Sequence, residues 1–110
     1  MIRLPIDSTP LQEMSVDPGD GSLLDLTIRY NTIGDHWELD VRERDNDAAV
    51  VEAVPLVLGL PILWRDSVAF FFWLEDLSGV GIDPIGGNDF GERFALYVGM
   101  KAEVSGAAPP

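Results

Sequence analysis

The chain has 110 residues, no cysteine, and 19 acidic against 7 basic side chains, for a net charge of −12. That length supports one domain around a single modest core, and the lack of cysteine excludes disulfide frameworks, thiolate zinc sites and cysteine nucleophiles. An acidic surface with arginines scattered at 3, 29, 42, 44, 65 and 93 repels phosphate, so direct nucleic-acid binding is not expected.

The chain opens on Met1-Ile2-Arg3-Leu4-Pro5-Ile6, which reaches Pro5 and Asp7 before any apolar stretch develops and so does not read as a signal peptide. Ile2 to Met14 is expected to be extended, because Pro5 and Pro10 forbid a helix across it. A turn follows at Asp17-Pro18-Gly19-Asp20-Gly21. From Leu24 to Arg42 the pattern has period two: Leu24, Leu26, Ile28 and Tyr30 alternate with polar residues, then Trp37, Leu39 and Val41 do the same. This predicts a hairpin with Tyr30 opposite Trp37, Ile28 opposite Leu39 and Leu26 opposite Val41. At its apex a type I turn with Gly34 in the left-handed position is expected.

A second turn is expected at Asp45-Asn46-Asp47, then a strand through Ala49, Val51 and Ala53 whose loose alternation suggests cover on both faces. The apolar run Ala53 to Trp64 contains Pro55 and Pro61 and is far shorter than the roughly 20 residues that span a bilayer. Within it Leu60 to Trp64 has room for one helical turn. Val68 to Leu74, with three consecutive Phe before Trp73, is the strongest strand former. Asp76 to Asp89 is rich in glycine and reads as a long loop, and Glu92 to Val98 as the last strand. The expected architecture is all-β: a small antiparallel β-barrel or sandwich of about six strands with at most one short helical turn. Residues 1–104 form the domain, with an extended N-terminal segment, and 105–110 a flexible tail.

Chemistry finds little purchase in these residues. The only histidine, His36, falls on the polar face beside the hairpin turn, where an exposed imidazole is a routine occupant. There is no G-x-S-x-G elbow and no phosphate-cradling glycine loop. Asp45 and Asp47 lack the continuation of an EF-hand, and Gly86-Gly87-Asn88-Asp89 is a single copy of a motif that binds calcium only when stacked. No metal, cofactor or catalytic residue is assigned. In Phe70-Phe71-Phe72-Trp73 both faces of one strand carry large aromatics, and only one face is needed for the core. The other is read as an exposed patch buried in an assembly, or as a platform for stacking carbohydrate in a β-sandwich binding or adhesion module. An enzyme using an unrecognised carboxylate pair is the third reading.

Several short runs then converge on one family. They are Leu4-Pro5-Ile6 with Pro10-Leu11-Gln12, Arg29-Tyr30-Asn31-Thr32 with Gly34, and Trp37-Glu38-Leu39-Asp40-Val41. Further on come Val54-Pro55-Leu56-Val57 with Gly59 and Leu63, Asp83-Pro84, Phe90-Gly91 and Phe94-Ala95-Leu96-Tyr97-Val98. From Leu4 to about Val98 the chain resembles the baseplate plug proteins of contractile-tailed bacteriophages. The resemblance implies a structural virion component without cofactor or catalysis, repeated in a symmetric assembly at the distal end of the tail tube. Its implied partners are hub, tube-initiator and wedge proteins, with assembly in the host cytoplasm and no membrane or nucleic-acid contact. The apolar residues expected at such interfaces are Ile2, Leu4, Ile6 and Leu11 of the extended segment, Phe71 and Trp73 of the aromatic strand, and Ile85 and Phe90 around the glycine-rich loop.

Overall fold

The computed structural model describes residues 2–19, 21, 23–44, 48–65, 68–79 and 90–104. The expected turn at 45–47, Ile85 and the tail at 105–110 lie outside them. The period-two alternation from Leu24 to Arg42 builds the centre of the larger of two antiparallel sheets. Its strands are β2 (Leu11–Val16), β3 (Leu24–Asn31), β4 (His36–Glu43) and β5 (Ala48–Pro55), in that spatial order. The smaller sheet holds β1 (Ile2–Arg3), β7 (Phe94–Met100) and β6 (Phe70–Asp76), with β7 in the middle. The sheets are not closed into a barrel, so of the two architectures expected the sandwich is the one formed. Among the described residues no helix is long and apolar enough to cross a membrane.

The hairpin register is the one its apolar pattern dictates: Tyr30 faces Trp37, Ile28 faces Leu39 and Leu26 faces Val41. A one-residue slip would turn every one of these side chains to water. The apex differs from the expected turn. Asn31 and His36 still pair, leaving a four-residue loop whose left-handed residue is Asp35 (φ 53°), not Gly34. Asn31 Oδ1 accepts from the amides of Ile33 and Gly34, both at 3.0 Å, so a side chain supplies the turn bonds that a glycine-driven turn would have made. The Tyr30 hydroxyl donates to Asp35 and holds the left-handed residue in place.

β5 is an edge strand among the described residues, and its Glu52, Ala53 and Pro55 are exposed, which corrects the expectation of cover on both faces. Val54 faces Leu39 and Val51 faces Val41, so three steps on β5 match two on β4, and a second extra residue follows before Ala49 meets Arg42. Two bulges therefore shift the phase of the strand, and the half-buried Val50, Val51 and Val54 all reach the core although their spacing is irregular. Ala53 adopts φ 56° in the first bulge, where its amide donates to Asp40 Oδ1 at 2.6 Å.

The small sheet pairs Trp73 with Tyr97 and Phe72 with Val98. The helical turn expected near Leu60 is instead a β-turn from Pro61 to Trp64, closed by a 3.3 Å bond, with Leu63 left-handed at φ 68°. Within the turn Ile62 makes an isolated bridge to Phe72. A single helical turn, α1 (Phe90–Arg93), leads into β7, and a 3₁₀ turn at Lys101–Val104 follows it. The last strand thus starts at Phe94, two residues later than its expected start at Glu92.

Both sheets contribute to one core. Leu24, Leu26, Ile28, Trp37, Leu39 and Val41 meet Phe70, Phe72, Leu74, Phe94, Leu96 and Val98. Burial of side chains of this size stabilises by about 1.5–3 kcal/mol each, measured against exposure.

Candidate assembly interfaces

Of the eight residues singled out from the sequence, the seven that are described separate into three groups. Ile2 is 45% and Leu11 60% exposed, so both stand on the surface. Ile6 and Trp73 are half-buried. Leu4, Phe71 and Phe90 are inside the chain's own fold, at 3%, 4% and 0% exposure. For these three the sequence-based reading as free contact residues is corrected. Leu4 joins the core as its amide donates to Leu96 O at 2.8 Å. Phe90 lies against Trp37, ring centroids 4.0 Å apart and planes 12° apart. Phe71 does face away from the core, yet Trp64 packs edge-on over it at 5.1 Å. The open aromatic platform expected on β6 is accordingly reduced to Trp73 beside Tyr97, which removes the main physical support for carbohydrate stacking.

The N-terminal segment keeps to sheet edges, as its prolines require, but it is stitched into the domain. β1 borders β7 and β2 borders β3, so residues 4–10 cross from one sheet to the other. The crossing is fastened by Gln12, whose Oε1 accepts from the Asp7 amide at 3.0 Å and whose Nε2 donates to the carbonyls of Asp7 (2.5 Å) and Thr9 (2.9 Å). Gly91 presses on the same corner: its amide donates to Ser8 Oγ at 3.0 Å, and a Cβ there would lie 2.6 Å from the Asp7 carbonyl carbon. Glycine is required by that close approach.

The outward face of the large sheet is polar and cross-linked by charge. Arg29 bonds Glu38 at 3.1 Å and also Asp40, while Asp25 takes Arg44 at 2.6 Å and Ser15 at 2.7 Å. The Arg29 hydrogen bond holds the Asp40 carboxyl below its ordinary range, and Arg44, then Ser15, do the same for Asp25. Glu38 is lowered first by its bond to His36, whose Nε2 lies 2.8 Å away, and His36 is raised in turn. Carboxylates held low accept hydrogen bonds and do not deliver protons at neutral pH. The network therefore acts as a structural brace. At the other end Asp76, with a side chain 5% exposed, takes Arg93 through Nη2 at 3.0 Å and Nε at 3.3 Å, which ties the end of β6 to α1.

Other exposed apolar side chains were not singled out from the sequence. Ile33 at the hairpin apex is 97% exposed, Leu60 60% and Leu77 49%. Ile33 carried a readable signal, being a large apolar residue amid Asn31, Thr32, Gly34 and Asp35. Leu60 and Leu77 are apolar residues in apolar neighbourhoods and carried none. What the surface offers is thus edges and tips. The family model described as "Cyanophage baseplate Pam3 plug gp18" matches residues 1–101. No curated protein matches the chain.

Proposed function

Because the chain belongs to the cyanophage baseplate plug family, which its match over residues 1–101 establishes, we propose that it is a non-enzymatic plug subunit of a contractile phage tail. It sits at the distal end of the tail tube, contacts tube and hub proteins, and is present in several copies. The family match carries this reading, and three physical features support it. Ion pairs among the described residues brace the domain internally, as at Arg29–Glu38 and Arg93–Asp76. Its exposed apolar groups sit on edges and tips, as at Ile2, Leu11 and Ile33. Its net charge of −12 repels DNA from whatever lumenal surface it lines.

Reconstruction of the intact tail tests the proposal. The subunit is expected at the tube's distal end with more than about 1,000 Å² buried against other chains, Ile2 and Leu11 included. Absence from purified tails, or a smaller buried area with those residues in solvent, refutes it.

A further inference from the structure

We propose that β2 is a receptor edge, to which an extended, basic strand of a partner chain adds as the fifth strand of the large sheet. This inference rests on the baseplate reading for the setting of the partner, and on the backbone for the mode.

The phase of the ladder comes first. Tyr30 N donates to Pro10 O at 2.8 Å, and the β2–β3 register then makes Gln12, Met14 and Val16 the residues bonded to β3. Leu11, Glu13 and Ser15 consequently turn their amides and carbonyls away from β3, toward a side on which no strand of the described residues lies. An edge of that kind is a template for another strand. The remaining edges are defended. β5 carries two bulges, a left-handed Ala53 and Pro55. The free side of β6 is bridged in its middle by Ile62. β1, the other edge of the small sheet, is only two residues long. β2 is regular over six residues, with prolines only outside it at positions 10 and 18.

The side chains specify the occupant. On the core side Met14 and Val16 pack against the core cluster but are only half-buried, so an added strand with apolar residues on that face completes their cover. On the other face the exposed Leu11 and Glu13 call for apolar and cationic cross-strand partners. A groove of about 250 Å³ runs along the edge between Leu11–Met14 and the segment containing Pro5, Asp7 and Thr9, and its two carboxylates, Asp7 and Glu13, favour a basic strand. The same charges disfavour a second copy, because a symmetric β2–β2 pair centred on Glu13 would set like charges opposite each other in a chain of net charge −12.

Hydrogen exchange on the free protein and on purified tails tests this. In the free protein the amides of Leu11, Glu13 and Ser15 are expected to exchange at least about 100-fold faster than those of Met14 and Val16. In the tail all five should be protected. A photo-cross-linker at position 13 should capture a basic, alternating segment of another tail protein, and Glu13→Pro, which removes an outward amide together with one of the two groove carboxylates but no bond to β3, should lower incorporation at least tenfold, and further than Glu13→Gln, while the far-UV spectrum is kept. If the protein is present in tails but Leu11, Glu13 and Ser15 still exchange fast, or the cross-link joins β2 to β2 of another copy, strand addition by a basic partner is overturned and the baseplate reading stands. If the protein is missing from tails, the baseplate reading itself fails, and with it this inference.

Discussion

Replacing Trp37 by alanine probes the joint on which the domain depends. The indole is 0% exposed, stacks on Phe90 at 4.0 Å and meets Tyr30 at 5.4 Å. Truncation removes about 150–200 Å² of buried apolar surface, worth about 4–5 kcal/mol, and two aromatic contacts of about 0.5–1.5 kcal/mol each, before the site relaxes. Partial collapse of the cavity brings the expected loss to about 3–5 kcal/mol, which for a domain of this size lowers the melting temperature by roughly 15–30 °C. Urea unfolding followed by far-UV circular dichroism measures it without relying on the lost fluorophore. Phe90→Ala and the double variant complete a cycle, in which a coupling of at least about 1 kcal/mol is expected for rings in direct contact. A loss below 1 kcal/mol with an unchanged denaturant slope would refute the packing argument, because it would mean that neither cavity nor stack carries energy.

Gly91→Ala should cost about 1–3 kcal/mol in the same assay, since the new methyl meets backbone at the Asp7–Ser8 corner and cannot be accommodated by a side-chain rotation. Asp76→Asn should cost about 3 kcal/mol, because it removes a carboxylate charge, 5% exposed, that pairs with the largely buried Arg93, whereas Glu75→Gln on the exposed side of the same strand should be silent. The His36–Glu38 pair gives stability a pH signature. His36 is raised from 6.5, so its contribution is complete below that value and fades as pH rises through the folded pKa; Glu38 is lowered from 4.5, so its contribution is complete above that value and fades in acid. His36→Gln should therefore narrow the difference between urea midpoints measured at pH 5.5 and at pH 8, and an unaltered difference would contradict the pairing.

How far the residues alone revealed this arrangement depends on the range of the interactions involved. The β3–β4 register was legible because every apolar pair from Leu26–Val41 to Tyr30–Trp37 repeats the same choice of face. The placement of Pro5 and Pro10 near sheet edges was legible too, since proline cannot donate to a central ladder. The left-handed Asp35 was missed because Asn31 satisfies the turn amides through its side chain, a local competition that a Gly34 template ignores. The β5 bulges were missed because an extra residue looks like a broken period, not like a strand that bends. The interior positions of Phe71 and Phe90 depend on Trp64 and Trp37, which pack on them from other elements, and the periodicity of one strand does not report a partner outside it. Of the eight expected interface residues, Ile2 and Leu11 are surface groups because they sit on edges, which the prolines had indicated.

The two sheets also differ in how far apart in the chain their partners lie. β2 to β5 form a meander in which each strand pairs with its neighbour in sequence, whereas β1 must find Tyr97 and Val98 at the opposite end of the chain. Local pairings close quickly and distant ones slowly. On the ribosome, residues 11–55 can therefore assemble into a sheet while β6 and β7 have not yet been synthesised, with the greasy side of Leu24, Leu26, Ile28, Trp37 and Leu39 lacking its cover. During that interval the nascent chain is vulnerable to aggregation, and slowing translation between Pro55 and Phe70 should lower the soluble yield without altering the stability of the protein that does fold.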